Sequence, residues 1–250
     1  HADKSGKRDA VLDEVAGLPT PGLLYTATRR GAEEYAEALQ ERGIDAVAYH
    51  AGLSSKDRNR VHEAFHDGEV DVVVATSAFG MGIDKADVRF VVHADIPDSI
   101  DAYYQELGRA GRDGEPATAT LHYRPEDLSL RRFFAASAPK RGELTRLVEA
   151  IAGSKKSRAE LAAAGGLSAR RVTALLTVLV DAGAVRTSRA GVALRRGMTV
   201  ERAVDAALER SAERERIDAS RIEMLRSYAE TRRCRRATLP GYFGQDYVEP

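Results

Sequence analysis

The chemistry of this sequence is densest in the run Gln105-Glu106-Leu107-Gly108-Arg109-Ala110-Gly111-Arg112-Asp113-Gly114. Arg109 and Arg112 are three apart, so they project from one side of a helical turn, and three glycines and an alanine clear the space around them. A guanidinium is a planar fork that grips phosphate at two points and keeps its charge. A plain surface pair of arginines would not need those small neighbours. A second candidate is Thr76-Ser77-Ala78-Phe79-Gly80-Met81-Gly82-Ile83-Asp84-Lys85. There Gly80 and Gly82 let the backbone approach a ligand closely, and Asp84 offers a carboxylate to a ribose hydroxyl. A third is Thr26-Ala27-Thr28-Arg29-Arg30, with hydroxyls and cations at a predicted helix start, where free N–H groups suit a phosphate. Read alone, the second is also a turn with a cap, and the third is also ordinary capping by Thr28.

These loops need elements to hold them. From Gly22 onward short apolar runs alternate with amphipathic stretches. Strands are predicted over 23–26, 46–49, 70–75, 88–93 and 117–123, and helices over 31–42, 55–66 and 99–110. Strands alternating with helices imply an α/β fold with a parallel sheet covered on both faces. Ligands in such sheets gather beyond the carboxyl ends of the strands. His62-Glu63-Ala64-Phe65-His66 is a literal zinc-protease motif on one of those helices. It is set aside because Val61, Ala64 and Phe65 form the apolar stripe, and neither the downstream ligands nor a second acidic helix is recognisable.

The run Val74 to Lys85, the strand Val88 to His93, Tyr104-Gln105-Glu106 and Gly108 to Gly114, with Tyr49-His50-Ala51-Gly52-Leu53 before them, resembles the second motor lobe of RecQ-family DNA helicases. The likeness is colinear over roughly residues 1–139, which implies a RecA-like lobe. It implies that Arg109 and Arg112 face the γ-phosphate of ATP held with Mg2+ by another lobe, one acting as the arginine finger. Gln105 and Asp84 would couple nucleotide state to lobe closure, Gly82 and Asp84 would lie against the nucleotide with the two arginines, and Thr28, Arg29 and Thr76 would touch the tracked strand. No Gly-x-x-x-x-Gly-Lys-Ser/Thr loop occurs in the chain, so these residues alone are expected not to hydrolyse ATP. The intact protein is expected to translocate 3′ to 5′ on DNA, including single strands and duplex junctions. The alternatives are an RNA helicase of the wider superfamily and a non-catalytic DNA-binding adaptor with a degenerate lobe. The wording around Asp84 disfavours the first, and the retained Gln105, Arg109 and Arg112 disfavour the second.

Net charge is zero over the chain, but its distribution is uneven. Residues 1–139 hold 16 basic against 24 acidic side chains, residues 140–200 hold 12 against 4, and residues 201–250 hold 10 of each. A compact block of +8 after one of −8 suggests a polyanion partner for the middle segment. Helices predicted over 144–152, 157–164 and from Ser168, then short strands over 184–188 and 191–194, follow the order of a winged helix-turn-helix spanning 140–198. The residues expected to meet DNA phosphates are Lys155, Lys156, Arg170, Arg171, Arg186 and Arg189. A winged helix used for protein contacts is the alternative.

Residues 199–250 are read as a C-terminal helical hairpin, 200–208 and 219–233, followed by Cys234-Arg235-Arg236-Ala237-Thr238-Leu239-Pro240 and Tyr242-Phe243-Gly244. This tail resembles the opening of the RecQ zinc module, with further cysteines expected past Pro250. Zn2+ would bind only with those cysteines present, because a closed site takes four ligands and Cys234 supplies one. RecQ proteins place that module before the winged helix, whereas the order here is reversed. His1 in place of a methionine suggests a piece of a longer chain. No apolar run is long enough to span a membrane, a lone cysteine fits a reducing cytoplasm, and the resemblance implies a nucleoid-associated place there.

Overall fold

The computed structural model describes residues 4–77, 79, 84–128, 138–153, 156–188 and 191–245. The chain divides into two compact units, one of residues 1–131 with 221–250 and one of residues 132–220.

The first unit opens with helix α1 (Lys4–Gly17), which the sequence reading does not anticipate. Then come β1 (Gly22–Tyr25), α2 (Arg29–Gln40), β2 (Ala46–Tyr49), α3 (Ser55–His66), β3 (Val72–Ala75), β4 (Phe90–His93), α4 (Ile100–Leu107) and β5 (Thr118–Leu121). The strands form one parallel sheet in the order β2-β3-β1-β4-β5. Side chains alternate across it. Leu24, Val72, Val74, Phe90 and Val92 pack beneath Val11 and Leu12 of α1 and Ala36 and Leu39 of α2. Leu23, Tyr25, Val73 and Val91 pack on the other face against Val61 and Phe65 of α3. This double covering is why the strands read as continuous apolar runs. Close packing shows at Gly22, where a Cβ would sit 2.1 Å from the Phe90 ring on the neighbouring strand.

Inside α1, Lys7 is 3% exposed and holds Asp127 at 2.5 Å, with Asp95 at 3.8 Å. Arg124 holds the same Asp127 at 2.6 Å. Burial pushes the Asp127 carboxyl up, but Arg124 and Lys7 outweigh it and keep it below the usual carboxylate range.

The second unit holds α5 (Arg141–Ala152), α6 (Arg158–Gly165), α7 (Ala169–Asp181) and an antiparallel pair, β6 (Val185–Ser188) and β7 (Gly191–Leu194). Ser157 and Glu160 form the anticipated capping box, Gly166 ends α6 at φ 60°, and Ser168 caps α7. Its core joins Leu144, Leu147, Leu161, Val172, Leu175 and Leu179 with Val185 and Val192. The element order is that expected of a helix-turn-helix followed by a hairpin.

The tail departs from expectation. In place of a hairpin, α8 runs unbroken from Val200–Glu230, and α9 covers Arg235–Tyr242. The stretch read as a charged turn, 209–218, contains neither glycine nor proline. Glutamate and arginine are good helix formers, and Arg210 pairs with Glu213 one turn on at 2.6 Å, so the charge marks a solvated helix rather than a break. The 199–250 segment is not one body either: 221–250 belongs with the first unit, where Ile222, Leu225, Tyr228 and Leu239 share a core with Ile96, Ile100, Tyr103 and Leu128. Among the described residues no single helix is long and apolar enough to cross a membrane.

Candidate motor site and nucleic-acid contacts

The site is built where loops leave β1, β2 and β3 and where α4 ends. Thr28 caps α2, accepting a hydrogen bond from the Gly31 N–H at 3.0 Å, so the free N–H groups of that helix open beside Arg29. The loop after β2 closes on the same place: a Cβ on Gly52 would lie 3.1 Å from Nη1 of Arg29. His50 holds this loop, its Nε2–H donating to Glu33 at 3.1 Å and its Nδ1 accepting from the Gly52 N–H at 3.2 Å. Thr76 follows β3 and donates its N–H to the Tyr49 carbonyl at 3.2 Å. Thr28, Arg29 and Thr76 thus share the carboxyl edge of the sheet, and the glycine that makes room for Arg29 was quoted in the sequence without a role.

The two arginines diverge. Arg109 is 7% exposed and reaches the Tyr25 hydroxyl, which also donates to the Phe79 carbonyl at 3.2 Å. Burial pushes the Tyr25 phenol far up, and Arg109 pulls it back only in part. Arg112 stays accessible, its side chain 38% exposed, and Nη1 donates to Asp84 at 3.2 Å. Its Nε donates to the Gly108 carbonyl at 2.9 Å, which aims the fork. Behind it, Gly111 at φ 63° donates to the Val88 carbonyl, and a Cβ there would meet the Glu115 carbonyl at 2.8 Å. That glycine is required, as the spacing suggests. Asp84, expected at a ribose, is engaged by Arg112, and Gln105 is exposed on α4 one turn before Arg109. Gly82 lies outside the described residues.

Sequence reasoning gave Glu106 and His93 no role. They form a buried pair, with His93 Nε2–H donating to Glu106 at 2.7 Å and side chains 0% and 9% exposed. The His93 ring stacks on Tyr25 at 5.1 Å and leans on Tyr103 at 4.9 Å. The available signal was a polar residue on the buried face of an otherwise apolar strand. A cleft of about 120 Å3, lined by Tyr25, Ser77, His93, Asp95 and Glu106 among others, opens above this pair.

His62-Glu63-Ala64-Phe65-His66 lies on α3 with Val61 and Phe65 buried, and His66 pairs with Asp67 at 3.1 Å. Among the described residues no group of three or more His, Cys, Asp or Glu is arranged to hold a metal. Cys234 is an exposed free thiol.

In the second unit Arg170 and Arg186 are exposed, on the first turn of α7 and on β6. Two expected contacts have structural jobs. Arg171 holds Glu143 at 2.6 Å and the Ala138 carbonyl at 3.0 Å, which keeps the Glu143 carboxyl below its usual range. Lys156 donates to the Ala150 carbonyl at 2.8 Å, and its own carbonyl accepts from Val192 at 3.0 Å. Lys155 and Arg189 lie outside the described residues.

Residues 6–114 match the model of the helicase conserved C-terminal domain. The chain is 56% identical over 106 residues to an ATP-dependent DNA helicase RecQ of Pasteurella multocida, covering 42% of this chain and 17% of that protein. It is 44% identical over 132 residues to RecQ of Bacillus subtilis, covering 52% and 22%. It is 46% identical over 131 residues to a putative ATP-dependent DNA helicase Q1 of Caenorhabditis elegans, covering 50% and 21%. The chain therefore spans about a fifth of the length of these relatives. Among solved structures, a DEAD box protein of Methanococcus jannaschii is similar at TM-score 0.47 and 25% identity, over 52% of this chain and 36% of that one.

Proposed function

We propose, on the premise that residues 6–114 are the C-terminal motor region of a RecQ-family helicase, that the whole protein is an ATP-dependent DNA helicase. The observation that carries this reading is the pair Arg109 and Arg112, one buried beneath Tyr25 and one held outward beside Asp84. A phosphate-directed arginine needs that arrangement: a fixed base and an accessible fork. The Arg112–Asp84 pair is largely exposed, so it is worth only about 0–1 kcal/mol and yields readily to a phosphate. ATP with Mg2+ would supply the bond whose hydrolysis drives movement, held by a phosphate-cradling lobe outside these 250 residues. Arg112 would stabilise charge on the transferring phosphoryl group, Arg109 would position the turn, and Gln105 would report closure. Thr28, Arg29 and Thr76 would track strand phosphates. Cys234 would join a zinc site only if other ligands come from elsewhere in the protein.

The test is strand displacement by the full-length protein on duplex DNA with one single-stranded tail. Unwinding that requires ATP and a 3′ tail is expected. Equal or exclusive use of a 5′ tail would overturn the polarity, and no displacement of either would overturn the helicase reading.

The second unit would contact duplex phosphate through Arg170 and Arg186. Anisotropy on tailed duplex across a salt series separates the two roles found above. Arg170→Ala with Arg186→Ala should weaken binding and lower the salt slope by about 2 with melting unchanged, since each phosphate contact contributes about one unit. Arg171→Ala should instead destabilise the fold by about 1–2 kcal/mol, because the half-buried Glu143 loses its partner. Unchanged affinity in the first variant would assign this unit to protein contacts.

A further inference from the structure

The first unit contains a cavity of about 530 Å3 lined by none of the residues assigned above to nucleotide or DNA. It lies along β5, the last strand of the sheet, between α4 and the returning tail. Ala117, Ala119, Thr120 and Leu121 line it along that strand, and the Thr120 hydroxyl and His122 Nε2 are held by Glu14 at 2.7 and 2.6 Å. The two alanines are why the space exists: larger residues at 117 and 119 would fill it. Tyr103 and Tyr228 make an aromatic wall, with ring centroids 5.5 Å apart.

The charged side chains that line the cavity are both basic. Arg235 and Arg236 both line the cavity and both are exposed. Arg235 uses one donor on the Ala229 carbonyl at 3.0 Å, and a guanidinium has five. The carboxylate of Glu230 nearby accepts from the Tyr123 hydroxyl at 2.5 Å. No acidic residue occurs from Thr231 to Gln245. The volume falls in the range of ligand pockets, roughly 300–1,000 Å3, whose usual makeup is apolar walls with a few convergent polar groups.

We propose that this cavity is a binding site for a small planar aromatic anion, its ring system against Tyr103 and Tyr228 and its acid group on Arg235 and Arg236. Tyr103 and Leu107 belong to α4, the helix that carries Gln105, so an occupant would touch the motor's own helix from behind.

The experiment titrates the full-length protein with 1-anilinonaphthalene-8-sulfonate, an aromatic body bearing one sulfonate, and repeats it with N-phenyl-1-naphthylamine, which lacks the acid group. Saturable binding of one sulfonate probe is expected, about tenfold tighter than the uncharged one, as a charge-assisted contact implies. Ala119→Phe, which fills the cavity, should weaken the sulfonate probe about tenfold. Arg235→Gln with Arg236→Gln should abolish the difference between the probes while leaving the uncharged one bound. Non-saturable binding, or equal affinity in all three proteins, would overturn the site. If Ala119→Phe proves unstable, the arginine variant decides alone: an undiminished preference for the sulfonate would refute the proposal.

Discussion

Replacing Arg112 with Ala in the full-length protein should lower DNA-stimulated ATP turnover by about 10³-fold or more, the loss expected when an arginine finger is removed. The loss should fall on kcat rather than on KM for ATP, because charge on the transferring group develops only in the transition state. Melting should barely move, since Arg112 is accessible and its pair with Asp84 is exposed to solvent. Arg112→Lys should not rescue the rate, because a point charge lacks the planar fork. Arg109→Ala should differ: the buried guanidinium beneath Tyr25 is part of the packing, so both turnover and stability fall. A loss below tenfold in Arg112→Ala would remove this residue from the chemistry.

The second large effect is structural. His93→Ala should destabilise the first unit by about 3 kcal/mol, because breaking a buried pair strands the Glu106 carboxylate at 9% exposure. Glu106→Ala should cost a similar amount, with the His93 ring still stacked between Tyr25 and Tyr103 but without its acceptor. Urea denaturation followed by circular dichroism measures both. The informative variant is His93→Leu with Glu106→Leu, which removes both polar groups and should recover much of the loss. Additive losses in the double variant would show that the pair is not coupled and that each residue acts through packing alone.

Much of the first unit was legible because its sheet is covered on both faces. Leu23-Leu24-Tyr25 and Val72-Val73-Val74-Ala75 are apolar at every position, and their carboxyl ends locate the loops that matter. Gly111 was legible for the same local reason, a turn only glycine can make without strain. What escaped depends on partners far apart in sequence. The α1 helix contains a lysine that is buried only because Asp127 waits 120 residues later. Arg171 looked like a DNA contact, but Glu143, 28 residues earlier, holds its fork. The tail was misread for a different reason: charge was taken as the mark of a turn, although the Arg- and Glu-rich stretch of α8 holds neither glycine nor proline and is made of good helix formers. Nor does the sequence order reveal that Ile222 and Leu239 share a core with Ile100.

The central claim is that this lobe works in a motor driven on DNA. The most direct measurement is ATP turnover by the full-length protein alone, with single-stranded DNA, and with single-stranded RNA of the same sequence. The account predicts strong stimulation by DNA and little by RNA, with both lost in Arg112→Ala. Stimulation by RNA alone would contradict the DNA assignment, and turnover indifferent to either nucleic acid would contradict the motor itself.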